Sequence, residues 1–186
     1  MQTMKTNVPM QLVPEGEFIM GSRVGDGFFD EMPQRKKNLK AFLIDRYEVT
    51  NEEFRKSGIK PRRSFGQQFS RHKQPVTGVS WIQARNYCEM VGKRLPTESE
   101  WEKAARGTDG RRYPWGNEWP DCNKAVFNGD SGMGCGRGRG PWPVGSKPAG
   151  ASPYGVMDMI GNVSEFVLDT YDPGYYLVSQ VQDPAN

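Results

Sequence analysis

Histidine is almost missing from this chain: His72 is the only one in 186 residues. A single imidazole excludes any centre built on two or three histidines, whether zinc or iron. Cysteine is scarce too, and Cys88, Cys122 and Cys135 are too few for a dense disulfide framework. Long apolar runs are absent, against the roughly 20 apolar residues that a membrane-spanning helix needs. The opening Met-Gln-Thr-Met-Lys-Thr-Asn-Val-Pro-Met has no apolar segment of the secretory kind, so the expected compartment is the cytoplasm. Neither charge sign is in excess. The 25 Lys and Arg against 22 Asp and Glu leave +3, too little to require a nucleic-acid partner. Neither a nucleic acid nor a membrane is expected as a partner.

Glycine and proline are plentiful, at 36 of 186 residues, about 19%, against an average of roughly 12%. Nine Phe, seven Tyr and five Trp supply packing anchors that disordered chains lack. The expectation is one folded domain over 1–186, rich in loops and packed through its aromatics.

Along the chain, residues 11–20 read as short strands around a Pro-Glu-Gly turn. Residues 38–49 alternate as one half-buried strand with Leu39, Ala41 and Leu43 inward and a register change near Asp45. Thr50 or Asn51 caps a brief helix that stops at Gly58. Residues 54–88 carry eight Lys or Arg and no Asp or Glu, which suits a solvated basic loop better than a phosphate site. Two helices are clearer. Ser80 caps one with Trp81, Ala84, Tyr87, Cys88 and Val91 at helical spacing, ended by Gly92. Thr97 and Glu100 form a capping box for the other, with Trp101, Ala104 and Ala105 inward and Gly107 closing it. Trp101 is expected in the core. Beyond residue 107 regular patterning fades, and a long irregular stretch of this kind usually carries function.

Several blocks occur in a specific order. They include Val13-Pro14-Glu15-Gly16-Glu17-Phe18, Ile44-Asp45-Arg46-Tyr47-Glu48-Val49-Thr50-Asn51, Gly92-Lys93-Arg94-Leu95-Pro96-Thr97-Glu98-Ser99-Glu100-Trp101, Tyr113-Pro114-Trp115-Gly116-Asn117 and Tyr154-Gly155-Val156-Met157-Asp158-Met159-Ile160-Gly161-Asn162-Val163. In these blocks the chain resembles the sulfatase-modifying-factor family, the formylglycine-generating enzymes and their relatives. The resemblance implies an α+β, C-type-lectin-like fold with little regular secondary structure. It also implies, for a full-length relative, oxidation of a sulfatase cysteine to formylglycine with dioxygen and copper. A sulfatase-like protein or peptide would then be the substrate.

The chain departs from the pattern at its end. Family members continue past the equivalent of Tyr171 into an Arg-Gly-Gly-Ser-Trp segment and a closing Phe-Arg strand, and in true formylglycine generators the copper-binding redox cysteine pair lies in that part. Cys88, Cys122 and Cys135 do not occupy that motif, so no catalytic residue is carried over, and copper is expected only if those further cysteines exist. On this ground the chain reads either as a fragment of such an enzyme or as a non-catalytic lectin-like module with a protein or glycan ligand. Cys88 matches a position that pairs with the closing strand in related enzymes, and is expected here as a buried free thiol. Cys122 and Cys135 flank a Gly-rich loop, and a disulfide or a reduced pair both remain open.

One local cluster has ion chemistry. In Asp158-Met159-Ile160-Gly161-Asn162-Val163-Ser164-Glu165, two carboxylates flank a tight turn whose Gly161 and Val163 carbonyls can point inward. Calcium takes oxygen donors of these kinds. In the family this segment is a calcium site, with matching positions Asp158, Gly161, Val163 and Glu165. The competing reading is a hydrogen-bonded turn without an ion. A second family calcium site uses an Asn where this chain has Val126, and is not carried over.

Overall fold

Lys103 shows why the first strands do not make a hairpin. Its buried ammonium donates to the carbonyls of Pro14 (2.7 Å) and Gly16 (2.8 Å), pinning the chain where it changes direction. The strands on either side then find different partners. In the computed structural model, which describes residues 4, 6–127, 135, 140–174 and 181, β1 (Met10–Val13) pairs antiparallel with β4 (Phe42–Asp45). Strand β2 (Gly16–Met20) pairs antiparallel with β3 (Arg35–Leu39). The result is two nested two-stranded ribbons.

The single strand expected over 38–49 is therefore two. Leu39 is buried, but Lys40 and Ala41 are exposed and Leu43 keeps 59% of its surface. The register change falls at Lys40-Ala41 rather than near Asp45. The reason is tertiary: Leu39 packs with Phe18 and Met20, Ile44 packs against the cluster of Val13 and Ala104, and Phe42 bridges the two.

Helix signals match locally. Thr50 caps α1 (Asn51–Lys56) by accepting from the Glu53 amide. Ser80 caps α2 (Trp81–Met90), and Gln83 completes a capping box there. Thr97 and Glu100 form the box that opens α3 (Glu98–Arg106). Each such cap stabilises by about 1 kcal/mol, because it satisfies amides that the first turn leaves unpaired.

Helix α3 is the hub. Ala104 and Ala105 are fully buried with Val13, Val156 and Met159. Buried Glu102 accepts from the Gly21 amide (2.8 Å) and pairs with Arg106. Trp101 is only half-buried, which corrects its expected place in the core. Its ring packs against the cluster while its indole N–H reaches outward. A separate cluster joins Phe54 of α1 to Tyr87 and Val91 of α2. Cys88 is likewise half-buried rather than buried, packing at the edge of that cluster. After α3 the described chain is turns and one 3-10 turn, Pro148–Gly150, so the fold is α+β and loop-rich, as expected. Among the described residues no helix is long and apolar enough to cross a membrane.

Candidate ion site

Two residues with left-handed backbone shape the turn. Asp158 has φ 62° and Asn162 φ 57°, and Gly161 between them has φ 84°. Asn and Asp tolerate this region better than other side chains, and Gly161 must be glycine for a second reason. A Cβ there would overlap the Val126 carbonyl oxygen, because residues 126 and 161 bridge in parallel. Val126 is thus buried scaffolding for the turn.

Asn162 fastens the turn on every side. Its amide donates to the Val126 carbonyl (2.7 Å), and its side-chain oxygen accepts from the Trp142 amide (2.9 Å). Its side-chain nitrogen donates to the Glu48 carboxylate (2.6 Å). The Val163 amide donates to the other oxygen of Glu48 (3.2 Å). Asp158 accepts from the Gly145 amide (2.6 Å), and Glu165 accepts from the Trp101 indole (2.7 Å). The structure therefore brings Asp158, Gly161, Val163 and Glu165 onto one turn and adds Glu48, from 114 residues before Asn162 in the chain.

Glu48 was not singled out by the sequence, although it lies in one of the matching blocks. The only available signal was an acid within Tyr47-Glu48-Val49, three residues beyond a strand. Its surroundings are unusual. Withdrawal from water, with Glu165 and Asp158 nearby, pushes its carboxyl up to about 9 against the opposing bonds from Asn162 and Val163. Desolvation raises Glu165 to about 7, opposed by the Trp101 bond and aided by Asp158, although the residue keeps exposed surface. Desolvation also raises Asp158, opposed by the Gly145 amide. These acids have no ion-pair partner among the described residues.

The donor set suits a hard cation in kind: carboxylates that repel one another, beside a turn with backbone carbonyls. It does not suit an all-carboxylate cage. Among the described residues no three His, Cys, Asp or Glu side chains stand close enough to share one ion. An ion here would complete its shell with carbonyls and water.

Cys122 and Cys135 form a disulfide with Cα atoms 5.1 Å apart, which resolves the alternative left open by the sequence. Cys88 is the remaining thiol, and burial, with Asp45 nearby, pushes it up to about 11. His72 is exposed on the loop after α1.

Short strands, three capped helices and a long irregular segment fastened by a left-handed turn define the class of the formylglycine-generating-enzyme fold. Residues 1–184 match the family model of the sulfatase-modifying factor enzyme 1-like domain, and the chain belongs to this family. It is 36% identical to a serine/threonine-protein kinase pkn1 of Chlamydia pneumoniae, over 95% of this chain and 30% of the relative. It is 32% identical to the inactive C-alpha-formylglycine-generating enzyme 2 of Mus musculus, over 87% of this chain and 68% of that protein. The structure of PvdO from Pseudomonas aeruginosa is similar, with a TM-score of 0.75 and 26% identity, over 95% of this chain and 76% of that one. The chain thus spans about 30% of the length of the kinase-named relatives it matches.

Proposed function

We propose that residues 1–186 act as a recognition module of the formylglycine-generating-enzyme type, which binds a protein, peptide or glycan without oxidising it. The observation that carries this reading is the state of the thiols. Copper(I) is a soft ion selected by thiolates. Two of the three cysteines are joined to each other, and burial pushes the third, a lone thiol, up to about 11. These residues do not fit a copper centre. Similarity to an inactive formylglycine-generating enzyme and to part of a kinase-named protein is consistent with a module used for recognition.

Calcium is the ion proposed for the 158–165 turn. Asp158 and Glu165 would hold it through carboxylates and Gly161 and Val163 through carbonyls. Its chemistry there would be charge neutralisation, tying the turn to Glu48 and α3.

The enzymatic reading requires a cysteine pair from outside these residues. The test uses the purified 186-residue protein with copper, dioxygen and a Cys-x-Pro-x-Arg peptide, with aldehyde measured by mass spectrometry. No aldehyde is expected. Turnover would overturn the recognition reading.

A further inference from the structure

Helix α3 supplies one wall of a cleft of about 560 Å³, which opens between the loop after β2 and the loop after α3. That volume lies within the roughly 300–1,000 Å³ of small-molecule sites. Each loop is closed by its own bonds. The Ser22 amide donates to the Glu31 carbonyl (2.8 Å), and a Cβ at Gly27 would overlap the Ser22 and Glu31 side chains. On the other loop the Arg112 amide donates to the Asn117 side chain (2.9 Å), and Tyr113 bridges to Gly116. Asp26 and Arg112 pair at 2.6 Å and join the two loops. A ligand meets walls already in place, which lowers the ordering cost of binding.

Among the described residues, Trp101 is the only apolar side chain that lines this cleft. Most of its charges are spent on each other: Arg106 pairs with Glu102, and Arg112 with Asp26. Four planar groups on the walls keep bonding capacity. The exposed Arg23 guanidinium has no partner among the described residues. Glu31 uses one carboxylate oxygen, on the Ser22 hydroxyl (3.0 Å) and the Phe28 amide (3.3 Å), and leaves the other free. Gln34 spends its nitrogen on the Gly21 carbonyl (3.2 Å) and keeps its oxygen. Asn117 spends its oxygen on the Arg112 amide and keeps its nitrogen. Two donors and two acceptors thus remain on walls that also carry one aromatic ring.

This mixture selects among ligands. A polyanion would meet the carboxylates, and a polycation the guanidinium groups. An apolar ligand would find one ring and otherwise strip polar groups of water without replacing it. A saccharide uses both kinds of surface. Its adjacent hydroxyls donate and accept in pairs that match planar amide, carboxylate and guanidinium groups, and its C–H face lies on an aromatic ring. Trp119 offers a second ring at the rim, since it keeps 73% of its surface exposed and Arg112 lies over it at 5.1 Å.

We propose that this cleft binds a short oligosaccharide, with Trp101 against a sugar ring and Arg23, Glu31, Gln34 and Asn117 on its hydroxyls. This names a ligand class for the recognition reading and rests on it. No residue of the 158–165 turn lines the cleft, so the sugar is held without contact to an ion.

The probes are maltose, cellobiose, lactose and diacetylchitobiose, each titrated into the 186-residue protein in millimolar calcium and again in chelator. Tetraglutamate and tetralysine serve as charged controls. Binding is read by NMR from the backbone amides, the Asn117 side-chain amide and the Trp101 indole N–H. At least one disaccharide is expected to bind with a Kd below about 1 mM, alike within about twofold in the two buffers. Its shifts should be confined to the two loops and α3, and neither peptide should bind. Arg23→Ala removes an exposed side chain without a partner, and Asn117→Asp keeps the acceptor for Arg112 but removes the free donor. Each should weaken that sugar about fivefold or more, with the melting temperature unchanged. If no disaccharide binds below about 1 mM, if binding is lost in chelator, if the shifts lie elsewhere, or if both variants bind as wild type does, the saccharide site is overturned. A charged peptide seated in the cleft would overturn it too. Any of these results leaves the recognition reading standing on its thiols. Aldehyde formation would overturn that reading without moving the sugar signals.

Discussion

Glu100 carries two jobs at one position. It closes the capping box by accepting from the Thr97 amide (2.9 Å), and it receives both Arg94 guanidinium nitrogens at 2.6 Å. Desolvation pushes its carboxyl up, but the Arg94 and Thr97 bonds outweigh it, and the net direction is down. A lowered folded-state value stabilises above the unfolded value, near 4.5, and that contribution is lost as pH falls through the folded one. Glu100→Gln keeps the box, since Gln serves at this position, but loses the charge. Chemical denaturation from pH 7 to pH 3 should show the variant less stable at neutral pH and flatter across the acid range. Parallel profiles would show that the Arg94 pair contributes nothing. Trp101 is a second test at this scale. As a half-buried residue it should cost less on truncation to Ala than the roughly 3–5 kcal/mol of a fully buried aromatic, about 2–3 kcal/mol. Trp101→Phe should cost about 1 kcal/mol through the lost indole bond to Glu165. Thermal melts of both variants separate packing from the hydrogen bond.

Helix α3 connects more of the molecule than its nine residues suggest. Its successive side chains reach the 158–165 turn through Trp101, Gly21 through Glu102, and the β1–β2 junction through Lys103. Lys103→Met keeps the length of the side chain but strips two carbonyls of their donor. Each buried unsatisfied group costs about 1–3 kcal/mol, so a loss of at least 2 kcal/mol is expected in urea denaturation. A change under 0.5 kcal/mol would mean that water replaces the ammonium at no cost. Local signals in the sequence match the elements observed. Thr50, Ser80 and Thr97 cap as their spacing indicates, because a cap joins groups three residues apart. Over 38–49 they do not, since alternation cannot tell that Leu39 and Ile44 serve different clusters while Phe42 touches both.

At the scale of the whole molecule, calcium and the disulfide are the two cross-links to test. An ion that binds only the folded state stabilises by about 2.7 kcal/mol at a hundredfold excess over its dissociation constant. For a chain of this size that raises Tm by about 5–10 °C. Glu165→Ala should lose most of the shift, and Asp158→Asn and Glu165→Gln part of it, since each of these keeps an oxygen. Glu48→Gln should raise the melting temperature in chelator relative to wild type, because a desolvated acid among acids is removed, and should shrink the calcium shift. Asn123 lies on another loop and serves as a neutral control, while Asp130 is outside the described residues. If wild type melts alike in millimolar calcium and in chelator, the turn is held by hydrogen bonds alone. Reducing the Cys122–Cys135 bridge opens a loop with a sequence separation of 13 and should cost up to about 3 kcal/mol, read as a drop in the same melt.

The amino-acid sequence by itself determined the helices, their caps, the family and the turn from Asp158 to Glu165. All of these rest on neighbours in the chain or on ordered blocks that are visible without coordinates. Its Gly161 and Asn162 already allowed a tight turn there. Only the tertiary structure decided which strand pairs with which, that Trp101 stands half outside the core, and that Cys122 meets Cys135. It alone brought Glu48 to the turn, across 114 positions of chain to Asn162. Such choices depend on packing between distant segments, where many pairings satisfy the same local pattern and the shared burial of particular side chains selects one.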